Sequence, residues 1–155
     1  MPDMYFYSKN IVFQEVPNEI SLSFSIAGCP NNCKNCSWKS CDKKESLLDK
    51  DLYLSFLNKY KSLATCVLFL GGEWVKETLI DFLKTAKDYG YKTCLYTGKN
   101  DVSIEIKEQL DYLKVGPYIE EFGGLTSEKT NQKFIDLKTN KVLNKYFINR
   151  GAANL

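Results

Sequence analysis

The sequence predicts an α/β fold with a mainly parallel sheet that is open or partly closed into a barrel. Two observations predict this class. Short apolar runs alternate along the chain with segments of helical periodicity, and several of these apolar runs end on glycine. Strands that alternate with helices of about ten to fifteen residues are typical of crossover units, which place successive strands parallel to each other.

The length and composition indicate one globular domain over residues 1–155. Hydrophobic residues make up 44% of the chain and charged residues 26%, which is the balance of a packed protein. A chain of this length buries roughly 68 to 70% of its extended surface, so it can form its own core. No internal repeat, low-complexity tract or linker divides the sequence.

The charge and the amino-terminal sequence argue against two classes of partner. The 21 basic and 19 acidic residues give a net charge of +2 without long blocks of like charge, so nucleic acid is not an expected partner. The start, MPDMYFYSKNIVF, lacks the features of a secretory signal, and no apolar stretch has the length needed to span a bilayer. We therefore expect a cytoplasmic protein without a membrane partner.

The first predicted strand lies in NEISLSFSIAG, where apolar and polar residues alternate strictly. Its two faces are formed by Ile20, Leu22, Phe24 and Ile26 and by Ser21, Ser23 and Ser25. Such alternation is typical of a β-strand. This strand leads directly into a cluster of cysteines.

Two units of helix and strand follow the cysteines. SLLDKDLYLSFLNKYKSL has helical spacing and precedes the buried strand TCVLFLGG, and VKETLIDFLKTAKDYG precedes the strand KTCLYTG. Gly90 is placed to end the second helix in a left-handed turn. A weaker third unit runs from SIEIKEQL into DYLKVGPY. The tail, FIDLKTNKVLNKYFI, predicts a C-terminal hairpin around Thr139 and Asn140.

The loops at the carboxyl ends of these strands are the expected ligand site, because parallel sheets bind ligands at that edge. Four loops lie there: the cysteine loop after Ile26, GGEW after Leu70, YTG after Leu95 and GPY after Val115. Cys66 and Cys94 belong to the apolar strands themselves, where we expect small core residues rather than ligands.

Residues 27–36, AGCPNNCKNC, carry three cysteines at C-x3-C-x2-C spacing, Cys29, Cys33 and Cys36. In a cytosolic protein, clustered thiols are more often metal ligands or catalytic than disulfides. The chain has no histidine, so Cys41 is the nearby fourth ligand that a structural zinc site or an electron-transfer cluster would need. Three thiolates instead leave one iron of a four-iron cluster open for chemistry. A four-cysteine zinc or electron-transfer module that uses Cys41 stays as an alternative.

The cysteine loop resembles the signature of the radical S-adenosylmethionine superfamily, whose three cysteines bind a 4Fe-4S cluster. GGEW resembles the superfamily's GGE motif, which receives the methionyl amino group of S-adenosylmethionine. The family to which the chain is most similar is that of the activating proteins of anaerobic ribonucleoside-triphosphate reductases. The segments that carry this likeness are FQEVPNEISLSFSIAGCPNNCKNC, FLGGEW, LYTG, KVGPYIEEFGGL and TNQKF. Members commonly have arginine after the Asn-Gln pair, where this chain has Lys133.

This resemblance implies a partial βα barrel and an enzyme that activates another enzyme. A reducing protein such as a flavodoxin or ferredoxin would supply an electron, and S-adenosylmethionine would be cleaved at the cluster. The radical formed would take a hydrogen atom from a glycine in the glycyl radical loop of the reductase. Activation of another glycyl radical enzyme, such as pyruvate formate-lyase, and action on a small molecule stay as alternatives.

The resemblance assigns metal binding and catalysis to Cys29, Cys33 and Cys36. It assigns cofactor binding to the GGE turn, which consists of Gly71, Gly72 and Glu73. Further candidates for contacts with S-adenosylmethionine lie at motif ends and at the ligand edge: Trp38, Tyr96, Thr97, Asn131 and Gln132. Candidates for contacts with the cofactor or the protein partner lie in GPYIEE: Tyr118, Glu120 and Glu121.

Overall fold

A computed structural model describes residues 2–28 and 45–153, with residues 149–153 described by their backbone alone. The strands are β1 (Tyr5–Val12), β2 (Ser21–Ile26), β3 (Ser46–Leu47), β4 (Cys66–Leu70), β5 (Lys92–Tyr96), β6 (Tyr112–Val115), β7 (Lys133–Asp136) and β8 (Lys141–Val142). The α-helices are α1 (Lys50–Tyr60), α2 (Lys76–Asp88), α3 (Ile104–Lys107) and α4 (Asn144–Ala153), and a 3-10 turn covers Glu73–Val75. Within the described ranges, none of these helices has the length and hydropathy needed to cross a bilayer.

One sheet runs through the described residues in the order β3-β1-β2-β4-β5-β6-β7-β8. The four central strands, β2, β4, β5 and β6, are parallel, and α1, α2 and α3 lie in the connections between them, as the alternating pattern predicts. The outer pairs on both sides are antiparallel. The chain is therefore a mixed α/β fold with a parallel centre, and closure of the sheet into a partial barrel stays a prediction.

An aromatic layer packs between the helices and one face of the sheet. Tyr53 of α1 stacks on Phe82 of α2 with ring centroids 4.2 Å apart, and its hydroxyl donates to the Phe82 carbonyl at 2.8 Å. Phe24 of β2 stacks on Phe69 of β4 at 5.6 Å. All four side chains are buried. Burial of each such ring contributes roughly 1.5–3 kcal/mol, so this layer fixes β2 and β4, the strands that lead into the predicted motifs.

The opposite face of the sheet is covered by segments from both ends of the chain. Val16, from the connection between β1 and β2, and Phe147 of α4 pack there. The buried side chains that they join are Cys66, Leu68, Cys94 and Phe134. The central strands are therefore buried on both faces, which agrees with the continuous apolar run of β4.

The C-terminal hairpin predicted from the sequence is confirmed up to Val142 and is wrong beyond it. β7 and β8 form an antiparallel hairpin, and Asn140 has a φ of 58° in the turn. The predicted second arm is wrong beyond Val142, because KYFI belongs to helix α4. The Asn144 side chain accepts from the Phe134 N–H and donates to the Gln132 carbonyl, both at 2.8 Å. These two bonds attach the first residue of α4 to β7 and to the residue before it.

Strand β1 has no counterpart among the predicted elements, and it holds both ends of the cysteine segment. Phe6 pairs with Ile26 of β2 on one side and with Ser46 of β3 on the other. The Ala27 N–H extends the first pairing by donating to the Tyr5 carbonyl at 2.8 Å. The chain therefore leaves the sheet and returns to it on the two sides of one strand.

Candidate functional site

The predicted cluster ligands lie outside the described residues. The predicted or candidate residues in the segment 29–44 are Cys29, Cys33, Cys36, Trp38 and Cys41. In the ranges 2–28 and 45–153, no group of three or more cysteine, aspartate or glutamate side chains is placed to hold a metal ion. The assignment of the cysteines to a cluster therefore stays a prediction from their spacing.

The four parallel strands end at one edge of the sheet, and the loops that follow β4, β5 and β6 contact each other there. The Gly71 N–H donates to the Tyr96 carbonyl at 2.9 Å, which joins the loop after β4 to the end of β5. The Thr97 N–H donates to the Lys114 carbonyl at 2.9 Å, which joins the loop after β5 to β6. The predicted GGE turn, YTG loop and GPY loop are therefore neighbours.

The GGE turn is closed by a tryptophan that packs across its first glycine. Gly71 has a φ of 92°, and a Cβ added there would lie 2.5 Å from Trp74 Cη2. Trp74 Nε1–H donates to the Ala27 carbonyl at 3.1 Å. Glycine is therefore the residue that fits beneath the ring. The ring in turn ties the GGE turn to the backbone two residues before Cys29.

Glu73 places one carboxylate oxygen where a ligand can use it. The side chain is 8% exposed, and its Oε1 accepts a hydrogen bond from Thr97 Oγ1 at 2.5 Å. Oε2 is also buried, and among the described residues it has no hydrogen-bond partner. A buried carboxylate oxygen without a donor is costly. Glu73 therefore offers a directed acceptor, which is the role that the resemblance gives to this residue.

The hydroxyl groups of Tyr96 and Thr97 bond to the protein itself. Thr97 is fully buried, donates its one hydroxyl hydrogen to Glu73 and accepts from the Lys99 N–H at 3.1 Å. The Tyr96 hydroxyl donates to the Glu15 carbonyl in the connection between β1 and β2. Direct contact of either residue with the cofactor stays a prediction. What the structure shows for Thr97 is its bond to the Glu73 carboxylate.

A buried lysine to which no sequence motif assigns a role lies beside this pair. Lys114 is 6% exposed, and its Nζ donates to the carbonyls of Gly116 at 3.1 Å and Thr97 at 3.4 Å. The same atom lies 5.7 Å from the centroid of the Tyr96 ring. Strand alternation in DYLKVGPY places this lysine opposite the apolar core positions, and that signal could have found it. The edge therefore carries a buried lysine side chain between the loops after β5 and β6.

Asn131 and Gln132 lie at the same edge, against the GPY loop. Asn131 Nδ2 donates to the Pro117 carbonyl at 3.0 Å, and Gln132 Nε2 donates to the Gly116 carbonyl at 3.3 Å. Asn131 Oδ1 is buried and lacks a hydrogen-bond partner in the described part of the chain. The structure thus brings together the GPY and Asn-Gln motifs. Their contact with a cofactor stays a prediction.

The acidic residues of GPYIEE lie on the surface of the loop after β6. Glu120 and Glu121 are exposed, together with the rings of Tyr118 and Phe122, which are 39% and 42% exposed. Asn131 at the base of this loop belongs to the edge described above, whereas these four side chains project from it. Tyr118, Glu120 and Glu121 stay candidates for contact with the cofactor or a protein partner.

Cys66 and Cys94 are core residues, as their apolar surroundings predict. Both are fully buried, and burial raises the pKa of each thiol above its ordinary value. A raised pKa lowers the fraction of reactive thiolate, and burial blocks access as well. At about pH 8 we expect iodoacetamide to modify both residues in urea and neither in the native protein, as measured by peptide mass spectrometry. Native labelling at the rate of the unfolded chain would contradict this.

Comparison with known proteins identifies distant relatives. The chain is 31% identical over 96 residues to biotin synthase of Colwellia psychrerythraea (strain 34H / ATCC BAA-681), covering 53% of this chain and 28% of the relative. It is 26% identical over 113 residues to biotin synthase of Lawsonia intracellularis (strain PHE/MN1-00), covering 62% of this chain and 36% of the relative. The chain thus spans less than half the length of the curated relatives that it matches. No family model matches it, and no solved structure matches it significantly.

These two matches agree with the radical S-adenosylmethionine superfamily that the cysteine loop resembles, whose cofactors are a 4Fe-4S cluster and S-adenosylmethionine. They do not support the narrower assignment to the activators of glycyl radical enzymes. The comparisons therefore agree with the type of cofactor chemistry and leave the substrate open.

Proposed function

We propose that this chain is a radical S-adenosylmethionine activase that generates a glycyl radical on an anaerobic ribonucleoside-triphosphate reductase. The observation that carries the proposal is the GGE turn beside the start of the cysteine motif, where Trp74 Nε1 bonds the Ala27 carbonyl at 3.1 Å. Cys29 follows two residues later. Two motifs that the resemblance assigns to one cofactor thus begin from neighbouring backbone positions.

The residues of this edge fit the proposed cofactors. Glu73 Oε2 is a buried acceptor without a partner among the described residues, and the methionyl ammonium of S-adenosylmethionine is a charged donor. Three closely spaced cysteines in a chain without histidine suit an iron-sulfur cluster better than a structural zinc ion. Cys29, Cys33 and Cys36 would hold this cluster and leave one iron for the cofactor.

When bound, the cluster and S-adenosylmethionine supply the electron transfer and the radical chemistry. The chain's own residues bind, orient and exclude water. Glu73 accepts from the ammonium, Thr97 fixes the Glu73 carboxylate through Oε1, and Trp74 holds the GGE turn against the start of the cysteine motif. Electron transfer and hydrogen-atom abstraction do not require a general base, so they are compatible with a chain that has no histidine.

The loop after β6 supports the reductase as the partner. It begins and ends with the segments that resemble the reductase activators, KVGPYIEEFGGL and TNQKF. Tyr118 and Phe122 offer exposed rings on this loop, and Asn131 Oδ1 at its base offers an acceptor without a partner among the described residues. Aromatic rings are enriched at protein interfaces, and such an acceptor suits a backbone N–H. We assign this loop to contact with the glycyl radical loop, and a flavodoxin or ferredoxin to the supply of electrons.

A radical S-adenosylmethionine enzyme that acts on a small molecule is the second candidate. The observation that favours it is the similarity to two biotin synthases over 53% and 62% of this chain. The match covers 28% and 36% of those proteins, so it bears on the cofactor chemistry more than on a substrate. The two candidates differ in whether the final radical resides on a protein.

Anaerobic reconstitution with iron and sulfide, followed by metal analysis and an S-adenosylmethionine cleavage assay, tests the proposal. We expect about four irons per chain, and release of 5′-deoxyadenosine under a strong reductant. Addition of an anaerobic ribonucleoside-triphosphate reductase is expected to produce a glycyl radical signal in electron paramagnetic resonance. A reductase whose radical glycine is replaced by alanine is the matched control and gives no signal.

The alternatives predict different results in the same experiment. Cleavage of S-adenosylmethionine without a radical on the reductase would favour the small-molecule candidate or another glycyl radical partner. Stoichiometric zinc, without iron and without cleavage, would contradict both enzyme candidates. That result would favour the four-cysteine module with Cys41 as its fourth ligand.

A further inference from the structure

The loop after β6, residues 116–132, is closed at its base by bonds between its two ends. Asn131 Nδ2 donates to the Pro117 carbonyl at 3.0 Å, and Gln132 Nε2 donates to the Gly116 carbonyl at 3.3 Å. A Cβ added at Gly116 would lie 3.1 Å from the Gln132 Cα atom, so the two ends are also in backbone contact. Compact surface loops whose ends lie close together often carry function.

Hydrogen bonds within the loop connect its exposed surface to this base. The Phe122 and Gly123 N–H groups both donate to the Ile119 carbonyl at 2.9 Å, and Thr130 Oγ1 donates to the Gly123 carbonyl at 2.9 Å. Thr130 stands two residues before the end of the loop. The exposed ring of Phe122 is therefore linked to the base, and the orientation of the base determines where that ring lies.

Gln132 is the residue at which the loop joins the sheet. It is 6% exposed, and its N–H donates to Thr130 Oγ1 at 3.0 Å, in addition to the side-chain bond to Gly116. Both of these bonds lie within the loop. The Gln132 carbonyl accepts from Asn144 Nδ2 at 2.8 Å, and Asn144 is the first residue of α4. Asn144 therefore holds the base of the loop from outside it.

The Asn144 side chain bonds to two backbone groups along the edge of β7. Its Oδ1 accepts from the Phe134 N–H at 2.8 Å, while its Nδ2 donates to the Gln132 carbonyl. The last residue pair between β7 and β8 is Ile135 with Val142, so these bonds lie just beyond the end of that ladder. An amide provides both a donor and an acceptor, whereas an ionised aspartate provides acceptors alone. Asn144→Asp thus removes the bond to Gln132 and keeps an acceptor for Phe134.

We propose that Asn144 is a positioning residue that sets the orientation in which the loop after β6 meets its protein partner. Its bond to the Gln132 carbonyl fixes the base of the loop, and the base orients the exposed rings of Tyr118 and Phe122. The inference rests on the proposed function in taking this partner to be the glycyl radical loop of the reductase. It assigns a role to a residue that lies outside every sequence motif.

The kinetics of reductase activation test this role. The initial rate of glycyl radical formation by the reconstituted protein is measured anaerobically, by electron paramagnetic resonance, at increasing concentrations of the reductase. We expect Asn144→Asp and Asn144→Ala each to raise the KM for the reductase by about threefold or more, because fewer molecules hold the loop in the docking orientation. The kcat, and S-adenosylmethionine cleavage without reductase, are expected to change by less than about twofold, since the bond affects docking alone.

Hydrogen exchange tests the same role in the absence of a partner. Exchange of the backbone amides is followed by peptide mass spectrometry under native conditions. We expect Asn144→Ala to increase the exchange rate of residues 116–132 by roughly threefold or more, because the base of the loop opens more often. The exchange rates of β4 and β5 are expected to change by less than about twofold, because these strands open only with the whole sheet.

Two control variants separate the bond from changes of charge and of helix surface. Asn58→Asp makes the same change of charge at an exposed residue of α1. Lys145→Ala changes the exposed residue that follows Asn144 in α4. Both controls are expected to keep the KM and the exchange pattern of the wild type.

Three outcomes would overturn the inference while the proposed function stands. The first is a wild type that activates the reductase and Asn144 variants that do so with the same KM. The second is a loss of S-adenosylmethionine cleavage without reductase, which would place the effect of Asn144 on the cofactor. The third is faster exchange of β4 and β5 together with the loop, which would mean that Asn144 stabilises the whole fold. A wild type that forms no glycyl radical on the reductase would overturn the proposed function together with this inference.

Discussion

Replacement of Cys33 with serine is expected to reduce the iron content of the reconstituted protein from about four per chain to the background and to abolish S-adenosylmethionine cleavage. The spacing of Cys29, Cys33 and Cys36 provides three thiolates, and the chain has no histidine to replace one of them. Loss of the middle ligand leaves two thiolates, which is too few for the cluster. Iron and sulfide analysis of the variant, with 5′-deoxyadenosine as the reaction readout, measures the effect.

Cys41→Ser is the matched control, because it removes a thiol from the same segment at a position outside the motif. We expect this variant to keep nearly all its iron and its cleavage activity. If Cys41→Ser lost its metal as Cys33→Ser does, four cysteines would be required. A non-enzymatic zinc or electron-transfer module would then explain the motif better than an open cluster.

Gly71→Ala is expected to lower the free energy of unfolding by about 2–5 kcal/mol. The residue has a φ of 92°, which is strained for alanine, and the added Cβ would lie 2.5 Å from the Trp74 ring. Backbone strain contributes about 1–2 kcal/mol, and overpacking against a ring held by its bond to Ala27 contributes about 1–3 kcal/mol. Urea denaturation of the protein measures the sum.

Gly90→Ala separates these two contributions. Gly90 has the same φ of 92°, and a Cβ added there meets nothing within 4 Å. We therefore expect this variant to lose about 1–2 kcal/mol, from backbone strain alone. Equal losses for the two variants would mean that the Trp74 ring moves aside freely. Trp74 would then not be the tie between the GGE turn and the cysteine motif that the proposed function uses.

The periodicity of apolar residues predicted those strands and helices in which one face is buried at regular intervals. The strict alternation around Phe24 predicted β2, and the helical spacing around Phe82 predicted α2, because in each case one face is buried in the same core. The C-terminal segment did not continue as the predicted hairpin arm, and the contacts of one side chain accompany this difference. Asn144 bonds to the backbone of β7 and starts a helix there, and such a long-range bond leaves no trace in the spacing of KYFI.

The candidate site was predictable as a set of loops but not as a set of contacts. The strand order, read from the alternation of patterns, was enough to expect GGE and YTG at one edge. The bond between Thr97 and Glu73 joins residues 24 positions apart and depends on the register of β4 and β5, which no local pattern encodes.

The pairing of β1 on both of its sides has a thermodynamic consequence for the cysteine segment. Phe6 joins Ile26 and Ser46 through backbone ladders, so the two ends of the segment are about 10 Å apart, the distance across two strand spacings. The entropy of closing this loop is therefore lost when the sheet folds, independently of any metal. Small zinc domains differ, because their metal binding supplies the free energy of folding itself. We therefore expect the folding of this chain to be separable from metal loading, and the sheet to survive repeated removal and return of the metal.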